Sequence, residues 1–185
     1  PNYNVSLAES IIPAADLSEQ ISTAGFEASG TSNMKFGLNG ALTIGTLDGA
    51  NVEMCERIGA EHMFIFGLSA QQVEARKQNH EFSAVPDIAA SHRLNDVLQA
   101  IRGGVFSPDD PSRYTGLIDS LVDYDRFLVC ADFDSYWNAQ MRVEAHWHDS
   151  NEWWRSAVLN TARMGWFSSD RTIREYATDI WKALE

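Results

Sequence analysis

The chain has 185 residues, 44% of them apolar and 22% charged. That is ordinary globular composition, long enough for one full core, and it excludes a disordered chain. Lys+Arg 14 against Asp+Glu 26 gives a formal charge of −12, which excludes a general affinity for nucleic acid or anionic membranes because no basic patch offsets it.

In chain order, Asn4-Val5-Ser6-Leu7-Ala8 alternates polar and apolar residues and predicts a strand. Pro13 suits the first turn of a helix, with Leu17 and Ile21 on one face and Gly25 closing the unit. Glu27 to Lys35 follows as Glu-Ala-Ser-Gly-Thr-Ser-Asn-Met-Lys, with small residues, one acid and one lysine between apolar segments. A short helix is predicted from Thr31 to Gly40, carrying Met34 and Leu38. Ala41 to Leu47 reads as a buried strand, Asp48-Gly49 as a turn, Asn51 to Ile58 as a helix stopped by Gly59, and Met63 to Gly67 as another strand. Strands alternating with helices predict an α/β fold, a parallel Rossmann-like sheet with flanking helices over 1–67, followed by a mainly helical part over 68–185.

In that second part Leu94, Val97, Leu98 and Ile101 share one helical face, and Ile118, Leu121 and Val122 repeat the pattern. Phe127 to Cys130 reads as a short extended piece before a helix carrying Tyr136, Trp137, Gln140, Val143 and Trp147. A last helix, capped by Ser169 or Asp170, carries the stripe Ile173, Tyr176, Ala177, Ile180, Trp181 and Leu184, which must dock on the core or on a further domain.

Among candidate sites, Glu27 to Lys35 stands first. Gly30 permits a tight backbone path, a helix start near Thr31 aims free N–H groups at an anion, and Lys35 reaches the same space with an amine. An ordinary loop with an exposed lysine is the alternative. Glu19 and Glu27 flank Gly25 and could approach one pocket from two sides. Cys55 and Cys130 lack zinc spacing and read as buried thiols of a reducing compartment, so the expected location is cytoplasmic. His146-Trp147-His148 lacks a third ligand, so no metal is expected. Trp153-Trp154 offers either a sugar-stacking platform or packing on an amphipathic helix, the latter being favoured. Asp123, Asp125, Asp132 and Asp134 lack calcium-loop spacing and read as caps or solvated acids.

Pro13 to Ser22, Glu27 to Lys35, Asn39 to Glu53, Phe106-Ser107-Pro108 and Phe167 to Thr172 together resemble the glycogen (α-glucan) phosphorylases, most closely the bacterial members. The resemblance covers essentially the whole chain. It implies a partial carboxyl-terminal, cofactor-binding domain of a longer chain with a GT-B glycosyltransferase-type fold. Lys35 would hold pyridoxal 5'-phosphate as a Schiff base, with Thr31 and Ser32 meeting the cofactor phosphate through their backbone. Tyr3, Asn4 and Val5, on the first strand, would line the ring pocket. Glu27, Ser29 and Gly30 would bind hydroxyls of the transferred glucosyl unit, and Glu19 with Glu27 would match the paired acids of related nucleotide-sugar transferases.

The implied reaction is phosphorolysis of an α-1,4-glucan (glycogen or maltodextrin) by inorganic phosphate, giving α-glucose 1-phosphate. The implied partner is the rest of the chain, with a homodimer at full length, in a family known for allosteric control. Many members carry glycine where Ser32 stands and threonine where Phe26 stands. The family's phosphate-gripping basic residues lie outside this chain, so it is expected to be inactive alone. Two other readings are a nucleotide-sugar glycosyltransferase of the same architecture and a non-catalytic assembly fragment docking through its last helix.

Overall fold

A computed structural model describes residues 2–183. Its centre is a three-stranded parallel sheet in the order β1 (Leu17–Gln20), β2 (Leu42–Gly45), β3 (Phe64–Ile65). Leu17 pairs with Leu42, Glu19 with Ile44, and Ile44 with Phe64. The crossover between β1 and β2 runs through α2 (Ser32–Leu38), and that between β2 and β3 through α3 (Ala50–Ile58). Parallel strands need such crossovers, and their sheets are covered on both faces. The expected parallel α/β arrangement is therefore present, with β3 shorter than the Met63 to Gly67 segment.

Two faces follow from the period of two along each strand. Leu42, Ile44, Phe64 and Phe66 point to one side, where they pack on Ala139 of α8 (Val129–Trp147) and on Trp153 and Ala157 of α9 (Ser150–Arg163). On the other side Met54 and Ile58 of α3 pack with Met63, Met164 and the half-buried Met34 and Ile65. Leu42 and Ile44 are wholly buried. Leu42→Ala is expected to cost about 3 kcal/mol through lost transfer energy and an unfilled cavity, read as a lowered urea midpoint. A loss under about 1 kcal/mol would place Leu42 outside the core.

A second cluster beside the sheet is formed by α5 (Val85–Ala90), α6 (His92–Arg102) and α7 (Thr115–Asp123), while α4 (Ala70–Gln78) packs through Val73 against Ala24 and Leu128. Leu94, Leu98, Ile118 and Cys130 are the buried centre of that second cluster, with Ile101, Leu121 and Val122 packed against it; of the predicted helical faces only Val97 turns outward. Both cysteines are free thiols. Burial pushes the Cys55 thiol up, and burial together with the neighbouring Asp125 carboxylate pushes that of Cys130 up to about 12. Among the described residues no helix is long and apolar enough to cross a membrane.

Four expectations are corrected. Val5–Ile11 is a helix, α1, in place of a strand, because the Asn4 side chain accepts the Leu7 N–H and caps it. Leu17 to Ile21 is not helical. Pro13 sits in a 3-10 turn, Ile12–Ala14, and Leu17–Gln20 is drawn into the sheet by β2. Phe127 to Cys130 is no extended piece, since Leu128 is left-handed (φ 53°) and α8 starts at Val129. Finally, Ser168 precedes α10 (Ser169–Glu175), which continues as a wider π turn over Tyr176–Ile180. Its stripe residues Ile173, Tyr176, Ile180 and Trp181 are exposed; Leu184 lies outside the described residues.

Candidate active site

The chain leaves β1 at its carboxyl end and runs as a loop, 21–31, into α2, so Glu27 to Lys35 lies at the strand ends where open parallel sheets place ligands. The loop is held at both flanks. Thr46 Oγ1 donates to the Ser22 carbonyl at 2.6 Å and Thr23 Oγ1 to the Phe127 carbonyl at 2.6 Å. One oxygen of Asp48 accepts the N–H groups of Phe26 (3.1 Å) and Glu27 (2.8 Å), and the Ala50 N–H reaches the Ser29 carbonyl at 2.6 Å. The Asp48-Gly49 turn thus clasps the loop from β2.

Behind the loop lies a buried polar chain. Asn33, 2% exposed, donates to Asn51 Oδ1 at 3.0 Å, and Asn51, 4% exposed, donates to the Thr46 carbonyl at 3.0 Å. Buried amides persist where their partners are supplied, and this chain locks the start of α2 to α3 and to the end of β2. Gln20, Ser22, Glu27, Ser29, Asn33, Thr46, Asp48 and Asn51 together line a polar cleft of about 10 Å³. That volume admits no more than a water molecule, so any larger ligand would lie across the mouth.

Glu27 is exposed at that mouth, and one of its oxygens faces the Ser29 N–H at 3.4 Å. Ser29 Oγ donates to the Gly30 carbonyl at 3.0 Å, and Gly30 takes the positive φ (79°) foreseen for a tight path. Thr31 is the N-cap residue, and the amides of Ser32 and Asn33, in the first turn of α2, have no intrahelical acceptor. Ser32 is not among the residues of positive φ, and its hydroxyl meets Gln20 at 3.3 Å. A side chain at this position is therefore compatible with a backbone contact to an anion. Lys35 is exposed one turn further on, and among the described residues its amine makes no ion pair. An unengaged amine beside free amide donors fits a group carrying both an aldehyde and a phosphate.

Two expectations about the site differ in the structure, the placement of Glu19 and the strand that was to carry Tyr3, Asn4 and Val5. Glu19 does not join Glu27: it stands on the α8 face of β1, where it accepts from Tyr136 Oη (3.0 Å) and Gln140 Nε2 (2.6 Å). Gln20, its neighbour, faces the cleft instead, as the strand period requires. The carboxylate that accompanies Glu27 is Asp48. Tyr3, Asn4 and Val5 are exposed at the start of α1, with Asn4 engaged as its cap, so the strand expected to carry them is absent. The roles of Asn33, Asp48 and Asn51 went unread in sequence; the Asp48-Gly49 turn was their one local signal.

Residues 1–183 match the carbohydrate phosphorylase family. The chain is 54% identical over 182 residues to glycogen phosphorylase of Pasteurella multocida (strain Pm70), covering 98% of this chain and 22% of that protein. It is 52% identical over 187 residues to the brain form of Bos taurus, covering 98% and 22%. It is also 52% identical over 181 residues to glycogen phosphorylase of Synechocystis sp. (strain ATCC 27184 / PCC 6803 / Kazusa), covering 98% and 21%. The chain thus spans about a fifth of the length of these relatives. With a match along almost its whole length, and with the clasped loop, free amides and unengaged lysine in one place, the chain belongs to the carbohydrate phosphorylase family.

Proposed function

We propose that the full-length protein carrying this chain is a glucan phosphorylase. It transfers a terminal α-1,4-linked glucosyl unit of glycogen or maltodextrin to inorganic phosphate and releases α-glucose 1-phosphate. The observation that carries this is the Glu27 to Lys35 loop, clasped by Asp48 and ending in an amine without an ion-pair partner among the described residues. Glu27, Ser29 and Gly30 would meet the hydroxyls of the glucosyl unit at the mouth of the cleft. Lys35 would hold pyridoxal 5'-phosphate, with Tyr3, Asn4 and Val5 nearby and the amides of Thr31 and Ser32 toward its phosphate. Bound there, the cofactor supplies a phosphate that exchanges a proton with the substrate phosphate.

This chain's own contribution is placement. Amide dipoles at the start of α2 favour an anion despite the charge of −12, and further cations must come from the rest of the protein. The unpaired outer edge of β1 fits a larger Rossmann-like sheet of GT-B type, and the exposed Ile173, Ile180 and Trp181 fit packing against the remainder of the chain in a cytoplasmic homodimer. The nucleotide-sugar transferase reading loses the feature that favoured it, since Glu19 faces α8.

Incubating the full-length protein with maltodextrin and inorganic phosphate is expected to build up α-glucose 1-phosphate, followed by phosphorus NMR. Absence of that signal overturns the proposal. The isolated 185-residue chain is expected to release none above background.

A further inference from the structure

Asn51 is the residue that α3 supplies to the lining of the cleft, and it stands at the back, 4% exposed. Its amide is seated against Gly45, where a Cβ would lie 2.8 Å from Asn51 Nδ2. The side chain therefore has a fixed place, and hydrogen-bond parity fixes which way round it lies.

The Thr46 carbonyl can only accept, so Asn51 must turn Nδ2 toward it, at 3.0 Å, and Oδ1 toward Asn33. Asn33 must then present Nδ2 to Asn51, also at 3.0 Å, which turns its own Oδ1 to the Met34 N–H at 2.9 Å. Three hydrogen bonds running the same way thus join the end of β2 to the first turn of α2. Both ends are backbone groups, so neither amide can flip without setting like atoms face to face in a buried place.

The far end of α2 is held separately. Thr161 Oγ1 donates to the Gly37 carbonyl at 3.2 Å, and Gly37 lies so close to Met164 that a Cβ would come within 3.0 Å of its Sδ. Asn33 and Gly37, four apart, share the buried face of α2. Lys35 lies midway between them, about 200° round the helix, and is exposed. Its amine makes no ion pair among the described residues, so nothing of its own opposes a rotation of α2. The two inward residues do. We propose that Asn51 is a positioning residue: acting through Asn33, it fixes the rotation of α2 and so the direction in which Lys35 presents its amine at the cleft. This rests on the reading of Lys35 as the residue that holds pyridoxal 5'-phosphate.

Asn51→Asp in the full-length protein tests this, because it keeps the shape of the side chain and removes its donor. At pH 8 the introduced carboxylate would face the Thr46 carbonyl. Uptake of pyridoxal 5'-phosphate by the apoprotein, followed by absorbance, is then expected to be about tenfold slower than in wild type. Burial raises the pKa of the introduced carboxyl, and Glu27 and Asp48, the other carboxylates lining the cleft, raise it further. As the pH falls through that pKa, the protonated group donates to Thr46 and accepts from Asn33. The uptake rate relative to wild type at the same pH is therefore expected to return toward one by about pH 5.5. Ile118→Ala, which opens a cavity in the other helix cluster, controls for lost stability and should leave uptake unchanged.

Wild-type uptake in Asn51→Asp at pH 8 overturns the proposal, as does a deficit that does not recover on acidification. If Asn51→Asp does not fold, Asn51→Ser, one atom shorter, is read at pH 8, and wild-type uptake there overturns it. Wild-type apoprotein that takes up no cofactor would instead overturn the reading of Lys35. Hydrogen exchange at the Met34 amide then decides the hold on α2: it is expected to be about tenfold faster in Asn51→Asp at pH 8, and an unchanged rate overturns it.

Discussion

Lys35→Ala in the full-length protein is expected to abolish α-glucose 1-phosphate release, a loss on the order of a thousandfold or more in kcat. The side chain is exposed and forms no ion pair among the described residues, so no structural contact is lost with it. The buried face of α2 is instead Asn33 and Gly37, and the melting temperature of the apoprotein should not move. Lys35→Arg keeps the positive charge but has no nucleophilic amine. It is expected to be as inactive as the alanine variant, which separates anchoring of an aldehyde from simple neutralisation of an anion. Borohydride reduction followed by peptide mapping should leave a pyridoxyl group on the wild-type peptide containing Lys35 and on neither variant. A Lys35→Ala enzyme with a tenth of normal activity would remove the lysine from the mechanism.

The sheet was legible where burial is complete and punctuation is strong. Ala41 to Leu47 is apolar on both faces and bounded by Gly40 and Asp48-Gly49, so it reads as an interior parallel strand without further help. Leu17 to Ile21 was not legible. Leu17 and Ile21 satisfy a helical spacing, while Leu17, Glu19 and Ile21 satisfy a strand spacing equally well. Only hydrogen bonding to β2 decides between them.

That one assignment carried the Glu19 error. On a strand Glu19 and Gln20 face opposite sides, so Gln20 rather than Glu19 belongs to the cleft. Asn4 misled in the same local way, since alternation over five residues cannot reveal a cap. In the site itself Glu27, Gly30 and Lys35 were visible because their residue types suggest chemistry. Asn33, Asp48 and Asn51 were not, because their side chains acquire meaning only from partners up to 22 residues away.

Gly49→Ala is expected to damage both stability and catalysis, although Gly49 has no side chain to offer a ligand. The residue has φ 51° and ψ −139°, a conformation that glycine adopts freely and alanine does not. A Cβ there would lie 2.4 Å from the Ser29 carbonyl oxygen and 3.1 Å from Glu27 Cγ. Relief requires the loop to move, yet the same Ser29 carbonyl accepts the Ala50 N–H at 2.6 Å, and Asp48 holds the amides of Phe26 and Glu27. The methyl group therefore strains the backbone or opens the clasp.

Either route should cost about 2 to 3 kcal/mol, seen as a lower urea midpoint, and should displace Glu27 and Ser29 from the sugar position. A shift of about 1 Å at such groups costs on the order of a hundredfold in rate, so kcat/KM should fall more than stability alone explains at a temperature where the variant is folded. Gly116→Ala is the matched control. It lies inside α7, a Cβ there meets nothing within 4 Å, and alanine in a helix is expected to stabilise by about 0.5 to 1 kcal/mol with activity unchanged. If Gly49→Ala were as stable and as active as wild type, the Asp48-Gly49 turn would not be what positions the Glu27 to Ser29 loop.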